Sequence, residues 1–553
     1  MKKQLISTII IIITCLTVFG QYDNKGRGIP FIRNFNAKEY KGHVQNFCIT
    51  QDKSRIIYIA NFAGVIEFDG ATWRSIPTSN RAKVSSVCID NKGVIYVGGT
   101  GEIGYVGIDS SGKHQYISLL ANLPKEAGEI QNVLSIFSTN EGICFVTNNN
   151  VIYYKDNKFK VITSNNNIIS AFYVNNQIYL YQKYSGLGCI EKGKIQKIDK
   201  ENVFTDATIV KSMLAEDNNT IIIATDNSGF YSLNSKNDKI SELNINNNSE
   251  IKNKIISCGV KLKQGGYIYG TANAGIFILD NNKKYVQDVT KSKGIISDNV
   301  NNLFIDDDNE LWVALDNGIS RVEVSSMLSF FDNRNMIYGE VTDVLKFNGK
   351  LYISTMKGVY YKSEGDEKFN RVNNINMACW DMIVYKNRLF FGTSKGLFIE
   401  KGGGAELIAE NLFVLTMRGA INDNKMYAGL INGLAIVDIN NKEKTDIVQD
   451  IETEIRQIEV DKDGILWLNS PPKGIIKYDI LKHKAEYLAN KQGLPSALGN
   501  NLNLINGEII ITTVNGIMHY DSEKKTFVNM SILPENYSAK WYKRIIKDNN
   551  NGY

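Results

Sequence analysis

The sequence predicts an all-β fold built from short strands that recur in repeated units. The 553-residue chain contains 45 glycines and only 7 prolines, so its tight turns must rely on Gly, Asn and Asp. No long segment shows the apolar spacing that is typical of an amphipathic helix. Hydrophobic residues make up 43% of the chain and charged residues 22%, a balance typical of packed globular proteins. These observations exclude a mainly helical or a disordered chain.

One pattern of residues recurs along the chain. It consists of an apolar strand, a turn rich in Asp, Asn and Gly, a short apolar segment centred on an aromatic or aliphatic marker residue, and a second turn that usually ends in Gly. Twelve markers lie 34 to 49 residues apart, at Tyr58, Tyr96, Phe145, Tyr179, Ile222, Ile268, Trp312, Tyr352, Phe390, Tyr427, Trp467 and Ile510. A period near 40 residues with four strands per unit is the signature of β-propeller blades. Small residues just after most markers, such as Gly98, are expected to let adjacent blades approach closely.

The markers divide the chain into two rings. Seven markers precede residues 323–340, which do not continue the pattern and are interpreted as a connection. We therefore expect two tandem seven-bladed β-propellers of four-stranded blades, the first over residues 21–328 and the second over residues 329–553. Residues 29–35 are expected to supply a strand that closes the first ring.

The second propeller is expected to be incomplete at the C-terminus. Residues 541–553 match only the first half of the repeat, so about five and a half blades are present and the chain is interpreted as a fragment. The alternative is a chain that ends naturally with a six-bladed or open second ring.

Residues 1–20 are interpreted as an export signal peptide. Lys2 and Lys3 precede an almost entirely apolar stretch from Leu5 to Val18, which is short for a membrane span. An uncleaved anchor and lipidation at Cys15 remain alternatives. The mature chain is expected to work in the periplasm, and the full-length protein to be anchored in the inner membrane.

Cysteine spacing and net charge argue against a zinc protein and against a nucleic-acid-binding protein. The six cysteines after residue 20 lie 34 or more residues apart without a C-x-x-C motif, so buried thiols are favoured over zinc ligands or disulfides. The formal net charge is only +5, which predicts no nucleic-acid contact. Neither a metal site nor a cofactor is predicted. No catalytic motif is found, so the chain is predicted not to be an enzyme.

Candidate ligand-binding residues lie where the innermost strand of each blade begins, because loops from all blades converge on that face of a propeller. Counting back about eleven residues from each marker gives a set of polar and aromatic candidates: Gln45, Asn46, Ser85, Asn301, Trp380, Asp381 and Arg456. Trp380 beside Asp381 is the most suggestive pair, since an aromatic face with a carboxylate suits sugars or cations. The alternative is that Trp380 packs between blades and Asp381 caps a turn.

The repeat resembles the two-component regulator propeller repeat. The resemblance covers the whole mature chain and includes Ile29-Pro-Phe-Ile-Arg-Asn-Phe, Lys38-Glu-Tyr, Phe68-Asp-Gly with Trp73, Phe330-Phe-Asp and Cys379-Trp-Asp. It implies the periplasmic sensor region of a Bacteroidetes-type hybrid two-component or triple-tyrosine-motif transcriptional regulator. In that family two propellers are followed by an immunoglobulin-like domain, a membrane helix and a cytoplasmic output module, none of which is present here.

These observations predict an extracytoplasmic ligand-sensing region of a membrane-spanning signal-transduction regulator. The expected partner is a small molecule or an oligosaccharide bound on the propeller faces, and a homodimer through the sensor region is possible under the same interpretation. Two rival functions stay open: a secreted protein-binding scaffold, and a propeller lyase or glycosidase. A glycosidase would need two carboxylates about 5–10 Å apart in one channel.

Overall fold

The structure is a computed structural model that describes residues 27–530 except 228, 246–249, 327, 422, 442 and 443. The proposed signal peptide and the half-blade at residues 541–553 therefore lie outside the described residues. The chain divides into two compact units between Phe330 and Phe331. Each unit consists of four-stranded antiparallel sheets, which confirms the predicted all-β fold of tandem β-propellers.

The first unit contains seven sheets, which we number as blades 1 to 7. Blades 1 and 2 consist of β2 to β9: Asn46–Gln51, Ile57–Asn61, Gly64–Phe68, Trp73–Ile76, Val84–Ile89, Ile95–Gly99, Glu102–Ile108 and His114–Ser118. Blades 3 and 4 consist of β10 to β17: Val133–Thr139, Gly142–Thr147, Asn150–Lys155, Lys158–Thr163, Ile168–Val174, Gln177–Gln182, Gly186–Glu191 and Lys194–Lys197. Blades 5 and 6 consist of β18 to β25: Val210–Ala215, Thr220–Thr225, Phe230–Asn234, Lys239–Glu242, Ile256–Lys261, Tyr267–Thr271, Ile276–Leu279 and Tyr285–Val289.

Blade 7 is assembled from both ends of the unit. Its inner strands β26 to β28 span Val300–Ile305, Leu311–Leu315 and Ile319–Val322, and its outermost strand is β1, Ile32–Phe35. β1 pairs with β28 in the register Ile32↔Val322 to Phe35↔Ile319. The innermost strands contact one another in sequence, and β26 of blade 7 contacts β2 of blade 1. The predicted closing strand is therefore present and the first ring is closed.

The second unit contains five sheets within its described part, numbered blades 8 to 12. Blades 8 to 10 consist of β29 to β40: Val341–Phe347, Lys350–Thr355, Gly358–Ser363, Asn370–Arg371, Cys379–Tyr385, Arg388–Thr393, Gly396–Lys401, Gly404–Glu410, Val414–Gly419, Lys425–Leu430, Gly433–Asp438 and Thr445–Ile447. Blades 11 and 12 consist of β41 to β48: Gln457–Val460, Leu466–Ser470, Gly474–Asp479, Lys484–Leu488, Asn501–Ile505, Glu508–Thr513, Gly516–Asp521 and Thr526–Asn529.

Among the described residues, helical structure is confined to single turns. One α-helical turn, Ala37–Tyr40, starts at Asn36, whose side chain accepts hydrogen bonds from the N–H groups of Lys38 and Glu39. The 3₁₀ turns lie in connections between strands: Leu120–Asn122, Lys125–Ala127, Lys291–Lys293, Asn333–Asn335 and Asn490–Gln492.

The marker residues lie in the cores between blades. Trp312 is 2% exposed and its Nε1 donates to Asp306 Oδ2 at 2.9 Å, while Trp467 donates to Asp461 at 2.8 Å in the same way. The other oxygen of Asp306 accepts the backbone N–H groups of Asp308 and Glu310, so this acidic turn is an Asx-type turn that closes the hairpin.

The small residues after the markers Tyr96 and Ile268 have the role that the sequence predicts. A Cβ atom on Gly98 would lie 2.5 Å from Cγ1 of Val133, and one on Gly270 would lie 2.5 Å from Cγ1 of Val300. Val133 and Val300 are the first residues of the innermost strand in the next blade. Glycine at these positions therefore sets the distance between adjacent blades.

Candidate functional site

The predicted site residues lie on one face of each unit, which we call the upper face. It is the surface where the innermost strand of each blade begins and where the turn between the second and third strands lies, as at Phe62 in blade 1 and Met356 in blade 8. Antiparallel order within each blade brings these two segments to the same end of the sheet. The turns and the connections between blades therefore share this face.

Most innermost strands open with a β-bulge. The pairing skips one residue, as between Val300 and Asn302 or between Cys379 and Asp381, and the skipped residues here are Asn301 and Trp380. The same register shift occurs in ten of the twelve sheets. A bulge redirects the extra side chain out of the regular pleat, and such positions are frequent near functional sites.

The skipped residues form a set that we call the donor row, because several of them donate a hydrogen bond to the first carbonyl of the next innermost strand. Ser85 Oγ donates to Val133 O at 2.5 Å, and Asn301 Nδ2 donates to Asn46 O at 2.9 Å. Ser257 and Thr342 make the same bond at 2.6 and 2.5 Å. These side chains join neighbouring blades.

The residue after each bulge belongs to a second set, the acceptor row. An innermost strand is an edge strand, so alternate N–H groups have no partner within their own sheet. Side chains of the preceding blade accept these N–H groups in five blades: Ser86 from Ile136, Asn302 from Ile49, Asp343 from Met382, Asp381 from Met417, and Gln457 from Leu502, at distances of 2.6 to 3.2 Å. The acceptor row therefore holds the innermost strands in register with one another.

Four predicted candidates, Ser85, Asn301, Trp380 and Arg456, occupy equivalent positions at the start of their strands. Ser85 and Asn301 are used in bonds between blades. Trp380 and Arg456 are not: the indole N–H of Trp380 is buried without an acceptor among the described residues, and Arg456 is exposed with its guanidinium paired with Glu454. Only the two large side chains of this set stay available to a ligand.

Gln45 and Asn46 belong to the seam that closes the first ring. Asn46 is fully buried, donates to Gly318 O at 2.9 Å and accepts from Asn61 Nδ2 at 2.8 Å. Gln45 is half-buried and donates to Asp316 Oδ1 at 2.6 Å. The structure therefore places the amide of Asn46 within the fold, where its hydrogen bonds join the first and last blades of the ring.

Asp343 and Asp381 are the two members of the acceptor row that carry a carboxyl group, and Asp381 is the one that follows Trp380 in the chain. Its Oδ2 accepts the N–H of Met417 at 2.6 Å. Burial raises the pKa of the Asp381 carboxyl to about 6, opposed by the bond from Met417 and reinforced by the neighbouring carboxylate of Asp343. This carboxyl is therefore partly protonated near pH 6.

Trp380 lies beside Phe413, with ring centroids 6.3 Å apart and planes inclined by 35°. Phe413 comes directly before β37, so the two rings stand at the starts of neighbouring innermost strands. No hydrogen bond or ion pair joins Arg456 to Trp380 or Asp381 among the described residues. The structure thus brings Trp380, Asp381 and Phe413 to one region and leaves Arg456 on a different blade.

Exposed apolar side chains on the upper face of the second unit were not predicted from the sequence. Met356, Ile431 and Val514 occupy the same turn in blades 8, 10 and 12, and are 38%, 50% and 46% exposed. Their common offset of four residues from the markers Tyr352, Tyr427 and Ile510 is the signal that could have identified them. An apolar side chain at the tip of a turn gains nothing from folding, and its recurrence at equivalent turns makes this part of the upper face a candidate contact surface.

Metal and membrane sites were sought among the described residues. Within residues 27–530, apart from the gaps given above, no group of three His, Cys, Asp or Glu side chains could hold a metal ion. In the same part of the chain, no helix combines the length and the apolar character needed to cross a bilayer.

Comparison with known proteins shows the fold. No family profile matches the chain, and no curated protein matches it. Among solved structures, it is similar to the extracellular domain of a protein described as a hybrid two-component system of B. thetaiotaomicron, with a TM-score of 0.59 and 17% identity, covering 94% of this chain and 81% of that one. A second B. thetaiotaomicron extracellular domain comes from a protein described as a one-component system. It gives a TM-score of 0.44 and 15% identity, and the match covers 91% of this chain and 74% of that one. A virginiamycin B lyase of Staphylococcus aureus gives a TM-score of 0.40 and 15% identity, and the match covers 53% of this chain and 98% of that one.

The first of these similarities supports the sequence-based resemblance to propeller sensor regions at the level of the fold.

Proposed function

We propose that this chain is the extracytoplasmic sensing region of a membrane-spanning regulator and that it binds a small molecule or an oligosaccharide on the upper face of its second unit. The observation that carries the proposal is the indole N–H of Trp380, which is buried and has no acceptor among the described residues. Buried polar groups are nearly always paired, so a water molecule or a ligand oxygen is the natural partner of this group.

The surroundings of Trp380 suit a sugar. The indole ring and Phe413 offer apolar faces, the Asp381 carboxyl lies at the next position of the chain, and Arg456 adds an exposed cation on the same face of the unit. Few polar groups among aromatic side chains are the usual composition of a small-molecule site. Trp380 and Asp381, which are adjacent at the bulge, would fix the orientation of the ligand with an aromatic ring and a carboxyl group.

Signalling would follow from differential binding. A ligand that favours one arrangement of the sensing region shifts the population toward that arrangement by its difference in affinity for the two. The arrangement would be passed on through a membrane segment to a cytoplasmic module, with or without dimerisation of the sensing region. The full-length protein would then be anchored in the inner membrane with this chain in the periplasm.

A protein-binding scaffold is the second candidate function. The exposed side chains of Met356, Ile431 and Val514 favour it, because apolar residues at equivalent turns of several blades would form a contact surface for a partner.

The experiment is a binding screen of oligosaccharides against the exported chain by calorimetry, followed by Trp380→Phe. This substitution keeps an aromatic ring and removes only the N–H, so it should weaken a ligand whose oxygen accepts that group by about tenfold, as a lost hydrogen bond does. Ser85→Ala is the control, because Ser85 has the same position in blade 2 but bonds the next blade.

Equal affinities of Trp380→Phe and the unchanged chain would overturn the proposed site. If Ser85→Ala weakens ligand binding as much as Trp380→Phe does, the proposed site is overturned as well. Ser85 lies in the first unit, so the loss of affinity would not be specific to the upper face of the second unit. If no oligosaccharide binds and the chain instead captures a protein partner, and if Met356→Ser abolishes that capture, the scaffold function is favoured.

A further inference from the structure

A groove runs between the outer hairpins of blades 3 and 4 in the first unit. Two adjoining cavities of about 200 and 470 Å³ form it, and Ile162 and Gly193 line both. One wall is β13, Lys158–Thr163, and the other includes the turn before β17, Lys194–Lys197. The groove therefore runs along the outer strands and reaches only the far ends of the innermost strands β10 and β14, at Thr139 and Tyr173, away from the bulges where the donor and acceptor rows lie.

The groove is strongly basic. Four lysines line it, at positions 160, 192, 194 and 197, and all four are exposed. Among the residues that line the two cavities, Glu141 is the one carboxylate, and it lies 3.6 Å from Lys160 with both side chains more than half exposed. An exposed pair of this kind is worth little, so a net charge of about +3 is left along the groove. Like charges along a concave surface raise the local potential and attract anions.

Lysines on an outermost strand can also serve only to prevent pairing with another chain. That explanation does not account for their distribution. Of the twelve outermost strands described, only β13 and β17 carry two basic residues each, and these two strands face each other across the groove. Protection against edge pairing would be needed equally on every blade.

Neutral groups complete the lining. Tyr153 and Tyr173 line one cavity, and Lys160 Nζ lies 5.8 Å from the centroid of the Tyr153 ring. Asn165 and Asn166 line the other cavity. Aromatic rings pack against the C–H faces of sugars, and amides both donate to and accept from hydroxyl groups. The combination fits a chain of sugars that carries acidic groups better than a flexible acidic peptide.

We propose that this lysine groove, defined by Tyr153, Lys160, Tyr173, Lys192, Lys194 and Lys197, binds a segment of an acidic polysaccharide whose carboxylate or sulfate groups pair with the lysines. The inference goes beyond the sensing role proposed for the second unit and does not depend on it. The groove would hold a polymer at the rim while a smaller ligand occupies the upper face of the other unit.

Binding to immobilised polysaccharides tests the proposal. We expect the full chain to bind polygalacturonate or dextran sulfate, to bind neutral dextran much less, and to lose affinity as NaCl rises, because exposed charges are screened within about 10 Å at 0.1 M salt. The two anionic polymers distinguish carboxylate from sulfate as the favoured group. Lys192→Gln with Lys194→Gln should weaken binding by about threefold to thirtyfold, the loss of two exposed ion pairs.

The matched control is Lys236→Gln with Lys239→Gln. These lysines occupy the corresponding hairpin of blade 5 and are also exposed, so the net charge changes equally. Equal weakening in the control would show a response to net charge alone and would overturn the proposal. Absence of binding to both anionic polysaccharides, or equal binding of polyglutamate, would overturn it as well.

Discussion

The Oδ2 atom of Asp381 accepts a hydrogen bond of 2.6 Å from the backbone N–H of Met417 in the next blade. The same bond between blades is made by a hydroxyl at Ser86 and by an amide at Asn302. A neutral acceptor therefore suffices at this position, and blade 9 uses a carboxylate, as blade 8 does at Asp343, where the fold does not require one. A buried charge without a cation opposite it costs stability.

Asp381→Asn is expected to stabilise the second unit at neutral pH. The folded-state pKa of Asp381 is raised to about 6, above the value of about 3.9 for an unfolded chain, so the carboxyl favours folding when protonated. The contribution is fully present below pH 4 and is lost as the pH rises through 6. Asn keeps an acceptor for Met417, so the variant should be more stable by about 3 kcal/mol at pH 7.5, the free-energy equivalent of this pKa shift.

Urea unfolding at pH 4.5, 6 and 7.5 measures this difference. The gap between the variant and the unchanged chain should shrink as the pH falls, whereas Asp463→Asn, at an exposed turn, should show no such trend. A gap that stays constant over this range would contradict the assignment.

Gly98→Ala is expected to push blades 2 and 3 apart. The new Cβ would lie 2.5 Å from Cγ1 and 2.7 Å from Cβ of Val133, which is 1% exposed and cannot move away freely. Overpacking of this kind typically costs about 1–3 kcal/mol. Thermal unfolding of the variant should show a lower midpoint for the first unit.

A double variant separates the clash from any other effect of alanine. Val133→Ala removes the atoms that Gly98→Ala would meet, so the two substitutions together should cost less than the sum of each alone. Strict additivity would mean that Gly98 does not set the distance between these blades.

The architecture could be predicted from the sequence because each blade repeats one pattern. The markers fix the second strand, and the seven that precede residue 323 correspond to the seven sheets of the first unit. One marker is displaced: pairing of Val133 with Thr147 places Cys144, and not Phe145, at the position that Trp312 occupies in blade 7. Both residues are apolar and buried, so the pattern of side chains alone could not decide between them.

The candidate site was harder to predict than the fold. Counting back from the markers found the correct ends of the strands, yet it could not show which side chains are used within the fold. Asn301 and Trp380 have equivalent positions, and only the bonds between blades reveal that the first is engaged and the second is not. The neighbour of Trp380, Phe413, belongs to another blade, so no local pattern links the two.

The two units offer a matched pair of core tryptophans. Trp312→Phe removes the bond to Asp306, a residue 3% exposed, and Trp467→Phe removes the bond to Asp461. Leaving a buried carboxylate oxygen without its donor costs about 1–3 kcal/mol. Each variant should lower the unfolding midpoint of its own unit. Limited proteolysis with peptide mapping would show which unit each variant destabilises. Equal destabilisation of both units by one variant would contradict the prediction.

The thiols are expected to be unreactive in the folded chain. Cys48, Cys88, Cys144, Cys189, Cys258 and Cys379 are all free thiols; Cys144, Cys189 and Cys379 are buried as predicted, and the other three are half-buried. Burial raises the pKa of Cys88 and Cys258 to about 12 and that of Cys189 to about 11, so little thiolate exists at pH 8. A thiol reagent such as DTNB should therefore modify these six slowly in native buffer and completely in guanidinium chloride. Rapid modification of Cys258 in the native chain would show that blade 6 opens to solvent and would contradict its place in the core between blades.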